Sequence, residues 1–240
     1  MKRKILLGLG LLVCLMACGQ VENSPSSKDH EIQNQEKIFS RIKEKGDLRS
    51  YCLETKTQGD SYEMISQIEA MKEPNISHIQ WESQEGDKIK KGEEFRLDDS
   101  IFHKKTDGSW EKRPPMKESQ FKAKTELNTK TLLRPLERFY QVKEEGDAYI
   151  LTLASGDENI QEIKTILQGK ESFDELMSLK VTFSFDKKTG FPLSYDWEAQ
   201  VHNKESKEER TIRQKGQYSR VNELEGLELP DEIKEEIIKE

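Results

Sequence analysis

The sequence predicts an α+β fold: one long, strongly curved antiparallel sheet with helices packed on its apolar face. Three observations predict it. From Leu48 onward, apolar residues recur every second position in several segments, the spacing of a strand with one buried face. Tight turn signals separate these segments, so neighbours pair antiparallel: Gly59-Asp60, Glu85-Gly86-Asp87 and Asp107-Gly108. Before, between and after the groups of strands, the apolar spacing becomes that of amphipathic helices. A sheet with one greasy face must cover that face or close on itself.

The chain starts with a segment that is not part of this fold. Lys2, Arg3 and Lys4 precede an apolar run from Ile5 to Met16. The run is too short to span a bilayer, which takes about 20 apolar residues, and it reads as an export signal. Its end, Leu15-Met16-Ala17-Cys18, resembles the lipobox of bacterial lipoproteins. That resemblance implies cleavage before Cys18, lipid on Cys18, and a cell-membrane location on the extracytoplasmic face. Residues 1–17 are then the signal peptide. Residues 18–30, polar and containing Ser24-Pro25-Ser26-Ser27, are the lipidated cysteine and a flexible tether. Residues 31–240 form the domain. Of the three cysteines, Cys14 leaves with the signal, Cys18 carries lipid, and only Cys52 stays in the domain. One thiol makes no intramolecular disulfide, so packing must hold the domain together.

The elements follow in order. Glu31 to Lys45 puts Ile32, Phe39 and Ile42 on one helical face, with Ile38 beside it and Gly46 as a stop. Leu48–Gln58 is a strand. Tyr62, Met64, Ile68 and Ala70 alternate along the next, and Ile79 and Trp81 mark a third over Ile76–Gln84. Lys88–Leu97 and Ser100–Thr106 continue the meander, with Phe95 and Phe102 as inward residues and Trp110 after the Asp107-Gly108 hairpin. Arg113-Pro114-Pro115 ends it. Leu132, Leu133, Leu136, Phe139 and Tyr140 stand at helical spacing within Thr129–Tyr140, where Pro135 starts or kinks the helix. Ala148–Ala154 is a strand, and Asp157 caps a helix ending at Gly169. The clearest segment is a hairpin. Val181, Phe183 and Phe185 lead through Asp186-Lys187-Lys188-Thr189-Gly190 to Phe191, Leu193, Tyr195, Trp197, Ala199 and Val201. Glu209–Tyr218 is far more polar and reads as an edge strand. A charged amphipathic helix, Asp231–Lys239, closes the chain.

Composition narrows the function. Of 240 residues, 33% are hydrophobic and 35% charged, which excludes a polytopic membrane protein. The net charge of −7, with no long basic run, argues against nucleic acid as a partner. The four histidines are dispersed, and His30-Glu31 opens a zinc motif that Asn34 fails to complete, so no metal site is expected. Ser40-Arg41-Ile42-Lys43, Ser109-Trp110-Glu111-Lys112 and Lys188-Thr189-Gly190 match fragments of penicillin-binding enzymes, but no S-x-N element lies between them. Phosphate-binding, dinucleotide and nucleophile-elbow motifs are missing too. The sequence offers no catalytic residue and no cofactor, and the protein reads as a non-enzyme.

What remains is apolar surface. Trp81, Phe95, Phe102, Trp110, Phe183, Phe185, Tyr195 and Trp197 are expected on one side of the sheet. They can form a filled core under the helices or the wall of a ligand cavity, and periodicity alone does not separate these. With Leu136 and Phe139, all of these but Trp110 are the candidate ligand-facing residues.

The order of elements resembles lipoproteins built on the LolA/LppX-like half-barrel, above all Gram-positive lipoproteins of that architecture. The resemblance is carried by the lipobox at Cys18, the helix before the first strand, Lys104–Lys112, the hairpin Val181–Val201 and the closing Leu227–Glu236. It implies a half-barrel sheet with helices on its concave apolar face. For some members it implies carriage of lipid or acyl chains. Its expected partners are therefore the membrane, through the anchor, and a lipid-like ligand. The alternative is an interaction module with a filled core that binds another envelope protein.

Overall fold

A computed structural model describes residues 35–98, 100–113, 132–156, 158–167, 175–202 and 207–238. The signal peptide, Cys18, the tether and His30 lie outside these residues, as do Ile32, Pro114, Pro115, Asp157 and Gly169.

Eleven strands form one open antiparallel sheet. They are β1 (Ser50–Gln58), β2 (Tyr62–Met71), β3 (Ile76–Glu85), β4 (Lys88–Leu97), β5 (Ser100–Lys104), β6 (Trp110–Arg113), β7 (Gln141–Glu145), β8 (Ala148–Ala154), β9 (Glu175–Asp186), β10 (Pro192–His202) and β11 (Glu209–Ser219). Three α-helices are described: α1 (35–41), α2 (Ile160–Leu167) and α3 (Asp231–Ile238). The strand order is β6-β5-β4-β3-β2-β1-β11-β10-β9-β8-β7. Two meanders therefore meet where the first strand pairs with the last, from Cys52 opposite Ser219 to Gln58 opposite Arg213.

This topology corrects the expectation for Glu209–Tyr218. β11 is an interior strand between β1 and β10. It looks polar because it uses a glycine and a glutamine where its neighbours supply rings. A Cβ on Gly216 would sit 2.2 Å from the Tyr195 ring, so the bare backbone there makes room for the phenol. The edges are β6 and β7. β7, Gln-Val-Lys-Glu-Glu, went unrecognised in the sequence because only Val142 marks a face.

The helix expected over Thr129–Tyr140 is also corrected. Residues 132–140 make turns and a short 3-10 segment, Glu137–Phe139. Pro135 supplies no N–H and disfavours α-conformation at Arg134. Side chains tie this segment down instead. Arg134 reaches Glu44 at 2.8 Å and donates to the carbonyl of Phe39 at 3.1 Å. Gln35 donates to the carbonyls of Glu137 and Tyr140 at 2.8 and 3.1 Å.

α1 ends at residue 41, before the expected Gly46 stop. The N–H of Lys43 donates instead to the carbonyl of Gly190 at 2.8 Å. Gly190 has φ 74°, and a Cβ there would lie 2.0 Å from the carbonyl oxygen of Arg41, so the hairpin tip accepts this helix end only as glycine. Ile38, Phe39 and Ile42 of this segment are buried as the helical spacing predicts. They join a large core with Leu132, Leu136, Leu151, Ile163, Leu179 and Phe185.

The register assigns faces. Residues directly opposite in a ladder share a face, and faces alternate along a strand. Trp197 pairs with Val181 and Gln214, Gly216 with Thr55, Thr55 with Ser66, and Ser66 with Trp81. These positions, with the large core, define the core face. Phe95 stands opposite His78 and Phe102, one position out of phase with Trp81 on β3. Phe95, Phe102 and Trp110 therefore lie on the opposite face. There they form a second cluster with Ile76 and with Ile233 of α3, against Leu227 and Leu229. The expectation of a single apolar face carrying all the helices fails here. The sheet is greasy on one face at one end and on the other face at the other.

Candidate functional site

The core face is not filled evenly. A cavity of about 1290 Å³ lies between the middle strands and the chain around Lys43–Arg49. Tyr51 of β1, Met64 and Ala70 of β2, Phe183 and Phe185 of β9, Trp197 of β10 and Tyr218 of β11 wall it, and Leu133 borders it. β-Sheet alternation puts these side chains on one face, and the β1–β11 pairing brings the two meanders together beneath them.

The wall is a lattice of rings. Tyr51 and Tyr218 meet edge to face at 5.7 Å, Tyr218 and Tyr195 at 6.4 Å, and Tyr195 and Phe183 are tilted at 6.4 Å. One glutamine organises its polar atoms. Gln214 accepts from the Trp197 indole N–H at 3.2 Å and the Tyr195 hydroxyl at 3.3 Å, and its amide donates to Thr57 Oγ1 at 2.9 Å. Thr55 and Ser66 satisfy each other at 2.6 Å. Burial pushes the Tyr51 hydroxyl up to about 12, and raises Tyr195 and Tyr140 as well. These phenols stay neutral at physiological pH. The wall offers dispersion contact and a few directed hydrogen bonds rather than acid–base chemistry.

The expected ligand-facing residues divide. Phe183, Phe185 and Trp197 line the cavity. Tyr195 stands behind it, held by Gln214. Leu136 is fully buried in the large core, and Phe139 packs against that core with the Arg138 guanidinium 4.9 Å from its ring. Trp81 shares the core face but borders a separate depression of about 510 Å³. Its indole fits only because position 92 is glycine; a Cβ there would approach the ring to 2.4 Å. Phe95 and Phe102 are on the opposite face, against α3. The sequence reading missed Tyr51, Ile212, Gln214 and Tyr218, all cavity-lining. The period-two spacing of Ile212, Gln214, Gly216 and Tyr218 was the available signal.

Residues 52–237 match the model of a protein family described as a family of unknown function, DUF6612. The chain belongs to this family. The DUF6612 match takes in nearly all of β1 and every later strand, and thus most of the cavity wall. No curated protein matches the chain. Among solved structures, this DUF6612 protein is similar to MucB in a crystal structure of its complex with MucA(peri), with a TM-score of 0.31 and 11% identity. The match covers 83% of this chain and 58% of that one, so the chain spans just over half the length of its neighbour. Among the described residues no helix is long and apolar enough to cross a membrane.

Proposed function

We propose that this protein is a membrane-anchored extracytoplasmic lipoprotein that binds a hydrophobic, lipid-like ligand without catalysing a reaction. In this reading the sheet is a half-barrel, and the ligand lies in its hollow. Lipid on Cys18 holds the domain at the membrane.

The observation that carries the reading is the cavity of about 1290 Å³ walled by aromatic rings. Voids left by close packing rarely exceed a water molecule. Ligand pockets span roughly 300–1,000 Å³ and are mostly apolar with a few fixed polar groups. The Gln214 group supplies such fixed polar atoms. Each methylene moved from water into such a wall contributes about 0.8 kcal/mol, so a long alkyl chain is a sufficient ligand. The competing reading, an interaction module with a filled core, drew on an exposed edge at Glu209–Tyr218, and β11 is an interior strand.

The test is native mass spectrometry with lipid extraction on the full chain, released gently from a bacterial envelope. The expected result is a chain beginning at a lipid-modified Cys18 with a discrete, stoichiometric apolar adduct. A bare domain that also takes up no added alkyl probe overturns the ligand reading.

A further inference from the structure

The cavity's rim differs in character from its wall. On the side of the 43–49 segment it is bordered by Lys43, Glu44, Asp47, Arg49 and Lys72. The three cations are exposed. The two anions are already engaged. Glu44 Oε1 accepts from Arg134 Nε at 2.8 Å, and Asp47 Oδ2 accepts the backbone N–H of Glu44 at 2.8 Å, closing the turn. Lys72 Nζ donates to the carbonyl of Gly46 at 3.1 Å, which occupies one of its three N–H groups. Among the described residues no carboxylate stands within ion-pair distance of Lys43, Arg49 or Lys72. In a chain of net charge −7, surplus cations gathered at the border of an apolar cavity are a local reversal of sign.

We propose that the ligand is an anionic amphiphile: a long alkyl chain against Phe183, Trp197 and Tyr51, with its anionic end at the Lys43, Arg49 and Lys72 rim. The inference rests on the ligand reading above and narrows it to one chemical class. The apolar wall supplies affinity for the chain. The rim supplies selection for charge, because an anion there meets cations without being taken far from water.

The test uses the full-length chain in neutral phospholipid nanodiscs, with empty nanodiscs as the blank. The probes are 9,10-dibromostearate and its uncharged methyl ester, and the readout is quenching of tryptophan fluorescence, to which Trp197 in the wall contributes. The decisive quantity is the ratio of half-quenching concentrations, ester to acid. In a combined Lys43→Ser, Arg49→Ser, Lys72→Ser variant this ratio should fall on the order of tenfold, while the ester's own curve stays in place. Lys180→Ser, on the opposite face beside Glu198 at 3.2 Å, should leave the ratio unchanged. If the native chain and the triple variant have the same ratio, the anionic-end proposal is wrong and the apolar cavity stands. If neither probe quenches the native chain, the ligand reading falls and takes this proposal with it.

Discussion

The two apolar clusters of this sheet are built in different ways. The larger gathers residues from α1, the 132–140 segment, α2 and six strands on the core face. The smaller uses β3, β4, β5 and the C-terminal tail on the opposite face. Behind the larger cluster, the outer face of β9, β10 and β11 is a ladder of ion pairs, such as Arg213–Asp196 at 2.8 Å and Lys180–Glu198 at 3.2 Å. Behind the smaller one, the β3–β5 core face holds Trp81 over Gly92 and stays half-covered. The comparison teaches that one continuous sheet can switch its buried side. Such a sheet presents part of its core face to a ligand while α3 seals its other side.

If the larger cluster is the structural centre, truncating it should cost most. Phe39→Ala removes a ring that is 1% exposed and should destabilise the protein by about 3–5 kcal/mol, read as a lower urea midpoint at constant m. A loss under about 1 kcal/mol would mean that α1 is peripheral, and the ranking of the two clusters would reverse. The smaller cluster should break locally. Ile233→Ala, at a residue with no exposed surface, should cost about 2 kcal/mol. Hydrogen exchange should show faster amides in β4 and β5, with β9 and β10 as protected as before. Equal loosening of both regions would make them one cooperative unit.

The smallest effect tests the ion-paired outer face. Burial pushes the Asp196 carboxyl upward, but hydrogen bonds and charge from Arg213 and Lys215 outweigh it and hold the group below the usual range. A carboxylate depressed in the folded state adds stability above its unfolded pKa, near 3.9, and loses it as pH falls through the lower folded value. Asp196→Asn should therefore lower stability at pH 7 by under about 1 kcal/mol, since the pair is partly solvated. The difference should vanish in acid, below the ordinary carboxylate range. A difference that persists at pH 2 would assign the loss to packing instead.

Much of this architecture was legible in the sequence. The Phe183–Trp197 alternation and Gly190 specified the β9–β10 hairpin, its face and its turn. Ile38, Phe39 and Ile42 specified the buried side of α1. The failures share a physical cause. Period-two spacing says that a strand has a buried side, not which side of the sheet it is. The one-position offset between Trp81 and Phe95 depends on where the β3–β4 turn closes, which pairs Trp81 with Gly92 and His78 with Phe95. The cavity was half-legible for a related reason. Its β9 and β10 wall is aromatic in sequence, whereas Gln214 and Gly216 gain their roles only from rings on the next strand.

The pairing of β1 with β11 also bears on how the chain reaches its native state. Every other neighbour in the sheet but this one is adjacent in sequence. The two meanders can zip from their hairpins within microseconds, whereas Cys52 must find Ser219 across most of the chain. Until β11 has been made, β1 is an uncovered edge and the cavity has only part of its wall. The seam at the centre of the finished sheet is thus the last join in its assembly, and the binding site comes into being with it.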